Sequence, residues 1–449
     1  MKYNFNHIYF IGIGGISMSA LAEIMLEEGI KVSGSDRSNS RIIKKLQTSG
    51  ANIYIGHDSK NISDDIDLIV YTSAISDSNP ELLRARELNV EIMDRAEFLG
   101  TVMKNYNHAI CVSGTHGKTT TTGMLSSVLI ETDLAPTIFL GGEMDSLGGN
   151  LLHGSYELLL TEACEYKRNF LKFNPTMEVV LNIEEDHLDY YKDLKDIESA
   201  FVEYAEKLPP HGHLIVNESY SSLFKELKCS VVTFGLDNKA DYYAANIKLI
   251  PEPSYTLMKD GEKITNISLN VFGEHNILNS LAACAAGLSL GIEPEIVARG
   301  LSDFKGTHRR YEYKGCLNGA AIIDDYAHHP SEMKATIKTA SAYTEGKIIT
   351  VFQPHTYTRT IKLLDGFAEA LSMSDEVILL DIYAARETNT GEIHSKDIIN
   401  KMKNNSKEAI YAASFQDACS IVKSIAKKGD TIITMGAGNV DEIAELLLE

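Results

Sequence analysis

Short apolar runs alternate with longer amphipathic stretches along most of the chain. HIYFIGI, KVSGSD and LIVYTSAI near the start have the length and composition of buried strands, and the stretch from Ser17 to Glu28 places its apolar residues at helical spacing. Such alternation is typical of a parallel sheet with helices on both faces. The pattern therefore predicts an α/β fold that begins with a strand, a glycine turn and a helix.

The alternation recurs in three blocks, which predict three α/β domains. A Rossmann-like domain spans residues 1–105 and ends in the linker DRAEFLGTVMKNYN. A central domain spans 106–310; its stretch ICVSGTHGKTTTTGML has a strand, a glycine loop and a helix as in a P-loop ATPase-like α/β domain, and it includes a polar, hairpin-like region at 240–270. A second Rossmann-like domain spans 311–449, where the strands AAIIDD, KIITVF, EVILL and TIITM each run into polar or glycine residues. Open α/β sheets bind ligands at such strand ends.

Composition removes several classes of function. The 449 residues carry a formal net charge of −20, which argues against a nucleic acid as partner. The six cysteines include no C-x-x-C pair, so we expect reduced thiols and no zinc or disulfide framework. The apolar segment 8–26 has some features of a signal peptide, but its clustered glycines favour the strand–turn–helix interpretation. We therefore expect a cytoplasmic protein with no membrane insertion.

The stretch ICVSGTHGKTTTTGML has the features of a phosphate-binding loop between a strand and a helix. The common loop G-x-x-x-x-G-K-[ST] would need a glycine at Val112, whereas here the glycine is Gly114. Gly114 and Gly117 would let backbone N–H groups approach an anion at a helix N-terminus. Lys118 would then contact the outer phosphates, and Thr119 a Mg²⁺ ion. Taken alone, the motif is equally compatible with a glycine turn and a solvated lysine.

Two later strands end on acids. ELLLTEACE and NIEEDHLD contain Glu162 and His187, and Mg²⁺ in proteins takes a few oxygen ligands. Glu162 fits a ligand that bridges to the γ-phosphate, and His187 fits a second metal or its surroundings. Each neighbouring acid, taken singly, is expected to be a solvated surface residue, although their clustering after a phosphate loop favours a metal site. These neighbours are Glu165, Glu184, Glu185 and Asp186.

A first glycine loop lies between the first strand and the first helix. Gly12, Gly14, Gly15 and Ser17 match only part of the dinucleotide fingerprint G-x-G-x-x-G, because Ser17 takes the place of the last glycine. Asp36 follows at about the spacing at which an acid contacts a ribose hydroxyl. The loop indicates a diphosphate at a helix N-terminus, and both NAD and a nucleotide sugar satisfy it.

Basic residues and histidines follow in the last third of the chain. Arg309 and Arg310 lie where the second block gives way to the third. An arginine there would reach a transferring phosphoryl group, and the alternative is a surface ion pair. His328, His329 and His355 come without cysteines, so substrate contacts or structural hydrogen bonds are favoured over a zinc site.

Eight motifs occur in the order expected of the Mur ligase family. They are GIGGISMSALA, SGTHGKTTTT, TEACE, NIEEDHLD, GEHNILNSLAA, FKGTHRRYE, DDYAHHPSE and FQPHTYTRT. Together they extend over most of the chain, which thereby resembles a member of this family of ATP-dependent, amide-forming ligases. The resemblance implies three domains that hold a UDP-sugar, ATP and an amino acid.

The resemblance also implies a role for each matched residue. The implied UDP-sugar site comprises Gly12, Gly14, Gly15, Ser17, Asp36, Ser73 and Arg95. The implied ATP site comprises Gly114, Thr115, His116, Gly117, Lys118, Thr119, Thr120, Asn276, Asn279, Arg310 and Asp325. The implied amino-acid site comprises Tyr326, His328 and Arg359. The implied Mg²⁺ ligands are Thr119, Glu162 and His187, and the implied catalytic residues are Lys118, Glu162, His187, Arg310 and His328.

The implied reaction uses ATP and Mg²⁺ to join L-alanine to the carboxylate of UDP-N-acetylmuramate through an acyl phosphate. The implied quaternary state is a monomer or a homodimer. Two other hypotheses compete: a family member that adds a different amino acid or a peptide, and a nicotinamide-dependent oxidoreductase built on the first glycine loop. Phe272, Glu274 and Thr356 depart from residues that are frequent in the family, and Thr356 weakens any amino-acid site that needs two arginines.

Overall fold

A computed structural model describes residues 3–72, 74–188, 190–385, 387–404 and 406–449. Ser73, which the resemblance assigns to the UDP-sugar site, lies outside the described residues. The chain divides into two compact units, one of residues 1–234 with 282–296 and one of residues 235–281 with 297–449.

The first sheet and the helices that pack on it comprise nine elements near the N-terminus. They are β1 His7–Ile11, α1 Ile16–Glu27, β2 Lys31–Asp36, α2 Arg41–Thr48, β3 Asn52–Ile55, β4 Leu68–Tyr71, α3 Pro80–Glu87, β5 Glu91–Asp94 and α4 Arg95–Met103. The five strands are parallel and have the order β3-β2-β1-β4-β5, as in a Rossmann-like fold. The strand order reverses at β1, and open α/β sheets bind ligands at such a switch point. The loop after β1, which begins with Gly12, lies there.

The segment predicted as a linker, DRAEFLGTVMKNYN, consists mostly of the helix α4, so that prediction is wrong. Asp94 caps the helix by accepting hydrogen bonds from the backbone N–H groups of Ala96 and Glu97, and the Glu97 carboxylate accepts one from the Asp94 N–H. This capping box, together with the buried side chains of Phe98 and Val102, stabilises the helix. The pattern Asp-x-x-Glu before an apolar run was the signal for it in the sequence.

The second sheet follows directly in the chain. Its elements in the first unit are β6 His108–Ser113, α5 Lys118–Ile130, β7 Thr137–Met144, β8 Gly149–Leu152, β9 Leu158–Ala163, β10 Met177–Val180, α6 Leu194–Ala205, β11 His213–Asn217 and β12 Ser230–Gly235. Their order is β12-β11-β10-β6-β9-β7-β8, and only the pair β7–β8 is antiparallel. Since β6 lies between β9 and β10 and all three are parallel, the segments after these strands meet at one edge of the sheet.

From residue 235 onward, an antiparallel meander precedes a third sheet. The elements are β13 Tyr242–Lys248, β14 Ser254–Lys259, β15 Glu262–Ser268, α7 Glu274–Ser289, α8 Pro294–Asp303, β16 Glu312–Leu317, β17 Ala320–Asp325, α9 Pro330–Tyr343, β18 Ile348–Phe352, α10 Tyr357–Lys362, α11 Leu364–Leu371, β19 Glu376–Leu379, α12 Ser395–Asn404, β20 Ile410–Tyr411, α13 Phe415–Ile425, β21 Thr431–Met435 and α14 Asp441–Leu448. The meander β13–β15 confirms the hairpin-like region. The third sheet has the order β16-β17-β21-β18-β19-β20 and is parallel except for β16.

Strand burial explains why the alternation of elements could be detected in the sequence. In β1, Ile8 and Phe10 pack into one apolar cluster and Tyr9 and Ile11 into another, so both faces of the strand are covered. Parallel strands buried on both faces appear as continuous apolar runs. The α/β class is thus confirmed. The domain bounds 1–105, 106–310 and 311–449 stay predictions, and no helix within the described ranges is long and apolar enough to cross a membrane.

Candidate active site

A short loop joins β6 to α5 in the middle of the second sheet. Gly114 has a φ of 138° and Gly117 a φ of 84°, both in the region that favours glycine. A Cβ atom on Gly114 would lie 3.2 Å from the backbone nitrogen of Asn182. Asn182 also fixes the loop, because its backbone oxygen accepts from the Thr115 N–H at 3.1 Å and its Oδ1 from the His116 N–H at 2.8 Å. The segment after β10 therefore holds the loop in shape.

Lys118, the first residue of α5, directs its ammonium group back into this loop. Nζ donates to the backbone oxygens of Gly114 and Thr115, and it lies 3.1 Å from Oε2 of Glu165. Burial lowers the pKa of Lys118, but Glu165 and other nearby anionic groups outweigh burial and hold that pKa above its ordinary value. The loop therefore contains a lysine that is fully charged at neutral pH.

Glu165 is not the solvated acid that the sequence favoured at this position. It is only 3% exposed. Besides the contact with Lys118, its Oε1 lies 3.6 Å from Nε2 of His187. A buried carboxylate is costly unless it is paired, and Glu165 is paired with the lysine of the phosphate loop. Among its neighbours, Glu185 is exposed as expected, whereas Glu184 and Asp186 are partly buried.

Thr119 and Glu162 bring oxygen atoms together at the start of α5. The Thr119 hydroxyl donates to Oε2 of Glu162 at 3.0 Å, and the Gly141 N–H in β7 donates to Oε1 at 2.7 Å. A Cβ atom on Gly141 would lie 2.6 Å from Oε1, so a side chain there would displace the carboxylate. A carboxylate and a hydroxyl are the hard oxygen ligands that Mg²⁺ takes in proteins. These two oxygen ligands therefore fit a magnesium site. Gly141, whose N–H holds the Glu162 carboxylate, was not predicted from the sequence.

His187 is oriented by its neighbours in the segment after β10. Its backbone has a φ of 51°, in the left-handed region, and its ring packs on Tyr166 with a centroid distance of 4.6 Å. Nε2 lies 3.7 Å from Oδ2 of Asp186, in addition to its approach to Glu165. The structure thus associates His187 with Glu165 and Lys118, and its role as a metal ligand stays a prediction.

The first glycine loop is tied to the end of β2. Gly12 has a φ of 81°, and the N–H groups of Gly12 and Ile13 both donate to the backbone oxygen of Ser35, at 2.8 and 3.0 Å. The Gly14 N–H donates to Oδ2 of Asp36 at 2.9 Å. Asp36 therefore braces the loop itself, and its assignment to the UDP-sugar site stays a prediction.

Arg95 and Asn150 lie beside the start of α1. Nη1 of Arg95 donates to the Ser17 hydroxyl at 3.0 Å, and Nδ2 of Asn150 donates to the backbone oxygen of Ile16 at 3.0 Å. Burial lowers the pKa of Arg95, while the nearby Cys164 thiol raises it. Cys164 directly precedes Glu165. Arg95 therefore lies beside the first glycine loop and within electrostatic reach of Cys164, the residue before Glu165.

In the second unit, the neighbouring residues Arg309 and Arg310 have different environments. Arg309 lies 3.1 Å from Oδ2 of the buried Asp324 and donates to the backbone oxygens of Gly436 and Gly438. It is thus a structural residue that ties the chain to the end of β21. Both guanidinium groups lie over the Tyr326 ring, that of Arg309 at 5.1 Å and that of Arg310 at 5.0 Å from its centroid, but Arg309 is the one held by Asp324. Of the two, Arg310 is the better candidate for a phosphate contact.

The residues assigned to adenosine are buried and held by short polar contacts. Asn279 donates to Oδ1 of Asn276 at 3.0 Å, and Asn276 donates to the Phe272 backbone oxygen at 2.7 Å. Asp325 accepts from the Thr336 hydroxyl at 2.8 Å. Burial raises the pKa of Asp325 to about 6, against the opposing influence of Arg310. These contacts fix the three side chains, and their assignment to ATP stays a prediction.

Tyr326, His328, His355 and Arg359 form a connected group in the second unit. The ring of His328 lies 5.4 Å from that of Tyr326 and 6.1 Å from that of His355. Nη1 of Arg359 lies 3.2 Å from Nδ1 of His355, which stacks on Tyr383 at 5.7 Å. From the sequence, His355 was expected to make a substrate contact or a structural hydrogen bond, without a place in the amino-acid site, and Tyr383 had no expected role. Their positions at two different strand ends gave no sign that they would meet.

His329 serves a different purpose from its neighbour. It is the N-cap of α9, where its ring accepts from the Ser331 N–H and Glu332 completes a capping box. Of the two alternatives that the sequence left open for this residue, a substrate contact or a structural hydrogen bond, the capping contact is an instance of the second.

Comparisons with known proteins agree with this geometry. Three family models match in succession: "Mur ligase family, catalytic domain" over residues 7–107, "Mur ligase middle domain" over 112–287, and "Mur ligase, glutamate ligase domain" over 309–438. The chain is 48% identical to the UDP-N-acetylmuramate–L-alanine ligase of Clostridium novyi, covering 100% of this chain and 98% of that protein.

Solved structures show the same fold. The UDP-N-acetylmuramate-alanine ligase MurC from Thermotoga maritima matches with a TM-score of 0.83 and 30% identity, covering 98% of both chains. A murein peptide ligase from Psychrobacter arcticus matches with a TM-score of 0.74 and 24% identity, again over 98% of both chains. The three-domain α/β architecture predicted from the sequence is thereby confirmed, and the chain belongs to the Mur ligase family.

Proposed function

We propose that this chain joins L-alanine to the carboxylate of UDP-N-acetylmuramate, with ATP cleaved to ADP and phosphate, in the synthesis of peptidoglycan precursors. The observation that carries the proposal is the 48% identity, over essentially the whole of both chains, to a protein named for this reaction. Membership of a family of ATP-dependent ligases supports the use of ATP.

The loop between β6 and α5 is proposed to hold the ATP phosphates. It is assigned from Gly114 to Thr120, and its backbone N–H groups lie at a helix N-terminus, where anions are favoured. Lys118 supplies a permanent positive charge there. In the second unit, Asn276, Asn279 and Asp325 are assigned to adenosine, and Arg310 to the γ-phosphate.

A Mg²⁺ ion is proposed to bind at Thr119 and Glu162, with His187 nearby. The hydroxyl and carboxylate oxygens fit such an ion because Mg²⁺ prefers hard oxygen ligands. When bound, the ion neutralises charge on the phosphate oxygens. The Gly141 N–H keeps the Glu162 carboxylate in one orientation.

The UDP-sugar is proposed to bind at the first glycine loop. Gly12, Gly14, Gly15 and Ser17 present the N-terminus of α1 to the diphosphate, and Asp36 holds the loop in shape. Arg95, which donates to Ser17, adds a cation beside this loop. Ser73 is part of the same proposed site.

The proposed chemistry follows from the poor reactivity of a carboxylate toward amines. An oxygen of the sugar carboxylate attacks the γ-phosphorus, and ADP leaves with the electron pair of the broken bond. The free amine of L-alanine then attacks the acyl carbon of the acyl phosphate, and phosphate leaves. Lys118 and Arg310 stabilise the charge that develops on the transferring group, and positioning of the two substrates supplies much of the remaining acceleration.

His328 is proposed to accept the proton from the ammonium group of L-alanine. Its Nδ1 lies 3.0 Å from the Tyr326 backbone oxygen, which can only accept a hydrogen bond, so Nδ1 carries the proton of the neutral ring. Nε2 is then the basic nitrogen. Tyr326 and Arg359 are proposed to complete the amino-acid site.

A phosphate-release assay with the full-length protein, UDP-N-acetylmuramate, ATP and Mg²⁺ tests the proposal. We expect the highest kcat/KM for L-alanine, and lower but measurable values for glycine and L-serine, because one methyl group is worth only about 1–3 kcal/mol. D-Glutamate and a tripeptide should give no product. If a tripeptide reacts faster than L-alanine, the chain is a peptide-adding family member and the proposal is wrong.

The nicotinamide-dependent oxidoreductase is the competing hypothesis from another class. It leaves the phosphate loop without a role. A substrate-dependent change in NADH absorbance would favour it over the ligase. We further propose that the protein acts in the cytoplasm as a monomer or a homodimer, states that sedimentation equilibrium distinguishes.

A further inference from the structure

Four side chains converge on the carboxylate of Glu81, which belongs to α3 and is fully buried. The Tyr9 hydroxyl and Nδ2 of Asn61 donate to Oε1, both at 2.8 Å. The Ser35 hydroxyl donates to Oε2 at 2.7 Å, and Nδ1 of His57 lies 2.9 Å from the same oxygen. Each oxygen of the carboxylate thus has two partners from different segments of the chain.

A buried carboxylate with four polar partners stabilises a fold less than apolar side chains that fill the same space would. Removing a carboxylate from water has a large penalty, which only a complete set of hydrogen bonds offsets. A network in which each member is satisfied fixes its members in one arrangement. Glu81, on α3, therefore fixes Tyr9 of β1, Ser35 of β2 and the segment after β3 with respect to one another.

Ser35 links this network to the first glycine loop. Its hydroxyl donates to Glu81, while its backbone oxygen accepts from the N–H groups of both Gly12 and Ile13, at 2.8 and 3.0 Å. A shift of Ser35 would therefore move the start of the loop. Tyr9, in contrast, contacts the other carboxylate oxygen.

We propose that Glu81 is a positioning residue for the sugar nucleotide, which fixes the first glycine loop through Ser35. The inference rests on the proposed function, in which this loop holds the diphosphate of UDP-N-acetylmuramate. Glu81 does not contact the loop itself. It holds the Ser35 hydroxyl, and the backbone oxygen of Ser35 accepts hydrogen bonds from the N–H groups of Gly12 and Ile13.

Two single-atom deletions provide the matched test. Ser35→Ala and Tyr9→Phe each remove one buried hydroxyl that donates to Glu81, but only Ser35 also holds the loop. We expect Ser35→Ala to raise the KM for UDP-N-acetylmuramate about tenfold, the scale of one lost buried hydrogen bond, with little change in the KM for ATP. Tyr9→Phe should leave both KM values near those of the wild type. An equal rise for both variants, or an equal rise for both substrates, overturns the proposal.

Glu81→Met extends the test, because it keeps the length of the side chain but removes the carboxylate. The double variant Ser35→Ala with Glu81→Met should have the same KM for UDP-N-acetylmuramate as Glu81→Met alone, since both changes interrupt one connection. Additive effects would show that Glu81 acts by another route and would overturn the proposal.

Amide hydrogen exchange separates this proposal from the proposed function. In full-length Ser35→Ala, the amides of Gly12 and Ile13 should exchange faster than in the wild type and in Tyr9→Phe, with the phosphate loop at 114–119 unchanged. Hydrogen exchange does not depend on catalysis, so it tests the positioning role of Glu81 even if the wild type does not ligate L-alanine. Unchanged exchange at Gly12 and Ile13 beside intact ligation would overturn the positioning role alone.

Discussion

Nζ of Lys118 lies 3.1 Å from Oε2 of Glu165, and the two side chains are only 17% and 4% exposed. The pair joins the phosphate loop to the segment after β9, which are far apart in the sequence. Because both groups are withdrawn from water, removing one leaves the other as an uncompensated charge. Substitutions at this pair therefore affect stability as well as catalysis, and the two effects can be separated.

Lys118→Ala should lower turnover by about 10²–10³-fold, the scale for losing one preorganised charge contact. It should also lower the melting temperature, because Glu165 is left buried without its cation. Adding Glu165→Gln should restore much of the melting temperature but none of the turnover, as the neutral amide no longer needs a cation. Phosphate release and calorimetry measure the two effects.

The matched control for Lys118 is Lys239→Ala. Lys239 is exposed and pairs with the exposed Asp237, so neither turnover nor melting temperature should change. A turnover near the wild-type value in Lys118→Ala would show that the loop is only a turn.

Glu162→Gln should raise the Mg²⁺ concentration needed for half-maximal turnover by about 10–100-fold, the range seen when a metal site loses a supporting contact. The neutral amide has one oxygen, whereas the carboxylate uses both, toward Thr119 and Gly141. The KM for L-alanine should be unchanged. Glu185→Gln, at an exposed acid of the same region, is the control, and equal Mg²⁺ dependence in both variants would argue against a metal site at Glu162.

Glu178→Gln should stabilise the protein at neutral pH. Glu178 is fully buried in β10 and accepts from the Ser113 hydroxyl at 3.1 Å. Burial raises the pKa of Glu178 well above the ordinary value of 4.5, so the folded protein holds this proton more tightly than the unfolded chain does. Stability is therefore lost as the pH rises above that ordinary value.

Urea unfolding across pH measures this effect. At about pH 7 the free energy of unfolding of Glu178→Gln should exceed that of the wild type, because the amide has no proton that the unfolded chain releases. Below the ordinary glutamate pKa the two proteins should be equally stable. The exposed Glu226→Gln should show no difference at either pH, and a variant less stable than the wild type at neutral pH would contradict the assignment.

Thr356→Gly should stabilise the second unit by about 1–3 kcal/mol, the cost of a non-glycine residue in a rarely populated backbone region. Thr356 has a φ of 66° and a ψ of 145°, which a β-branched side chain rarely adopts. It directly precedes α10, which carries Arg359, so relief of the strain should also raise the KM for L-alanine. Thr358→Gly, inside α10, should destabilise instead. A destabilised Thr356→Gly would show that the threonine side chain stabilises more than its backbone costs.

The phosphate loop could be predicted from the sequence because its signal is local. Gly114, Gly117, Lys118 and Thr119 lie within six positions between an apolar strand and a helix, and the backbone there needs glycine at two of them. The helix α4 also had a local signal, Asp94 followed by Glu97, and our interpretation of that stretch as a linker overlooked it. Local patterns thus accounted for the first glycine loop, the phosphate loop and the buried strands that appear as apolar runs.

Burial and pairing were not predictable in the same way. An acid at a strand end has the same sequence pattern whether its partner is water or a lysine 47 positions away, as for Glu165 and Lys118. Arg309 and Arg310 are likewise equivalent in the sequence, and only the fold directs Arg309 to Asp324. These differences arise from contacts between distant segments, which no local pattern records.

The burial of Lys118 and Glu165 also sets how the protein responds to ionic strength. At 1 M salt the Debye length is only about 3 Å, so exposed pairs such as Lys31 with Asp65 are screened. Salt also reduces the self-repulsion that follows from a net charge of −20. The Lys118–Glu165 attraction, shielded from the solvent, persists under the same conditions. A salt dependence of the activity would therefore originate in the encounter with charged substrates rather than in the charge balance of the loop.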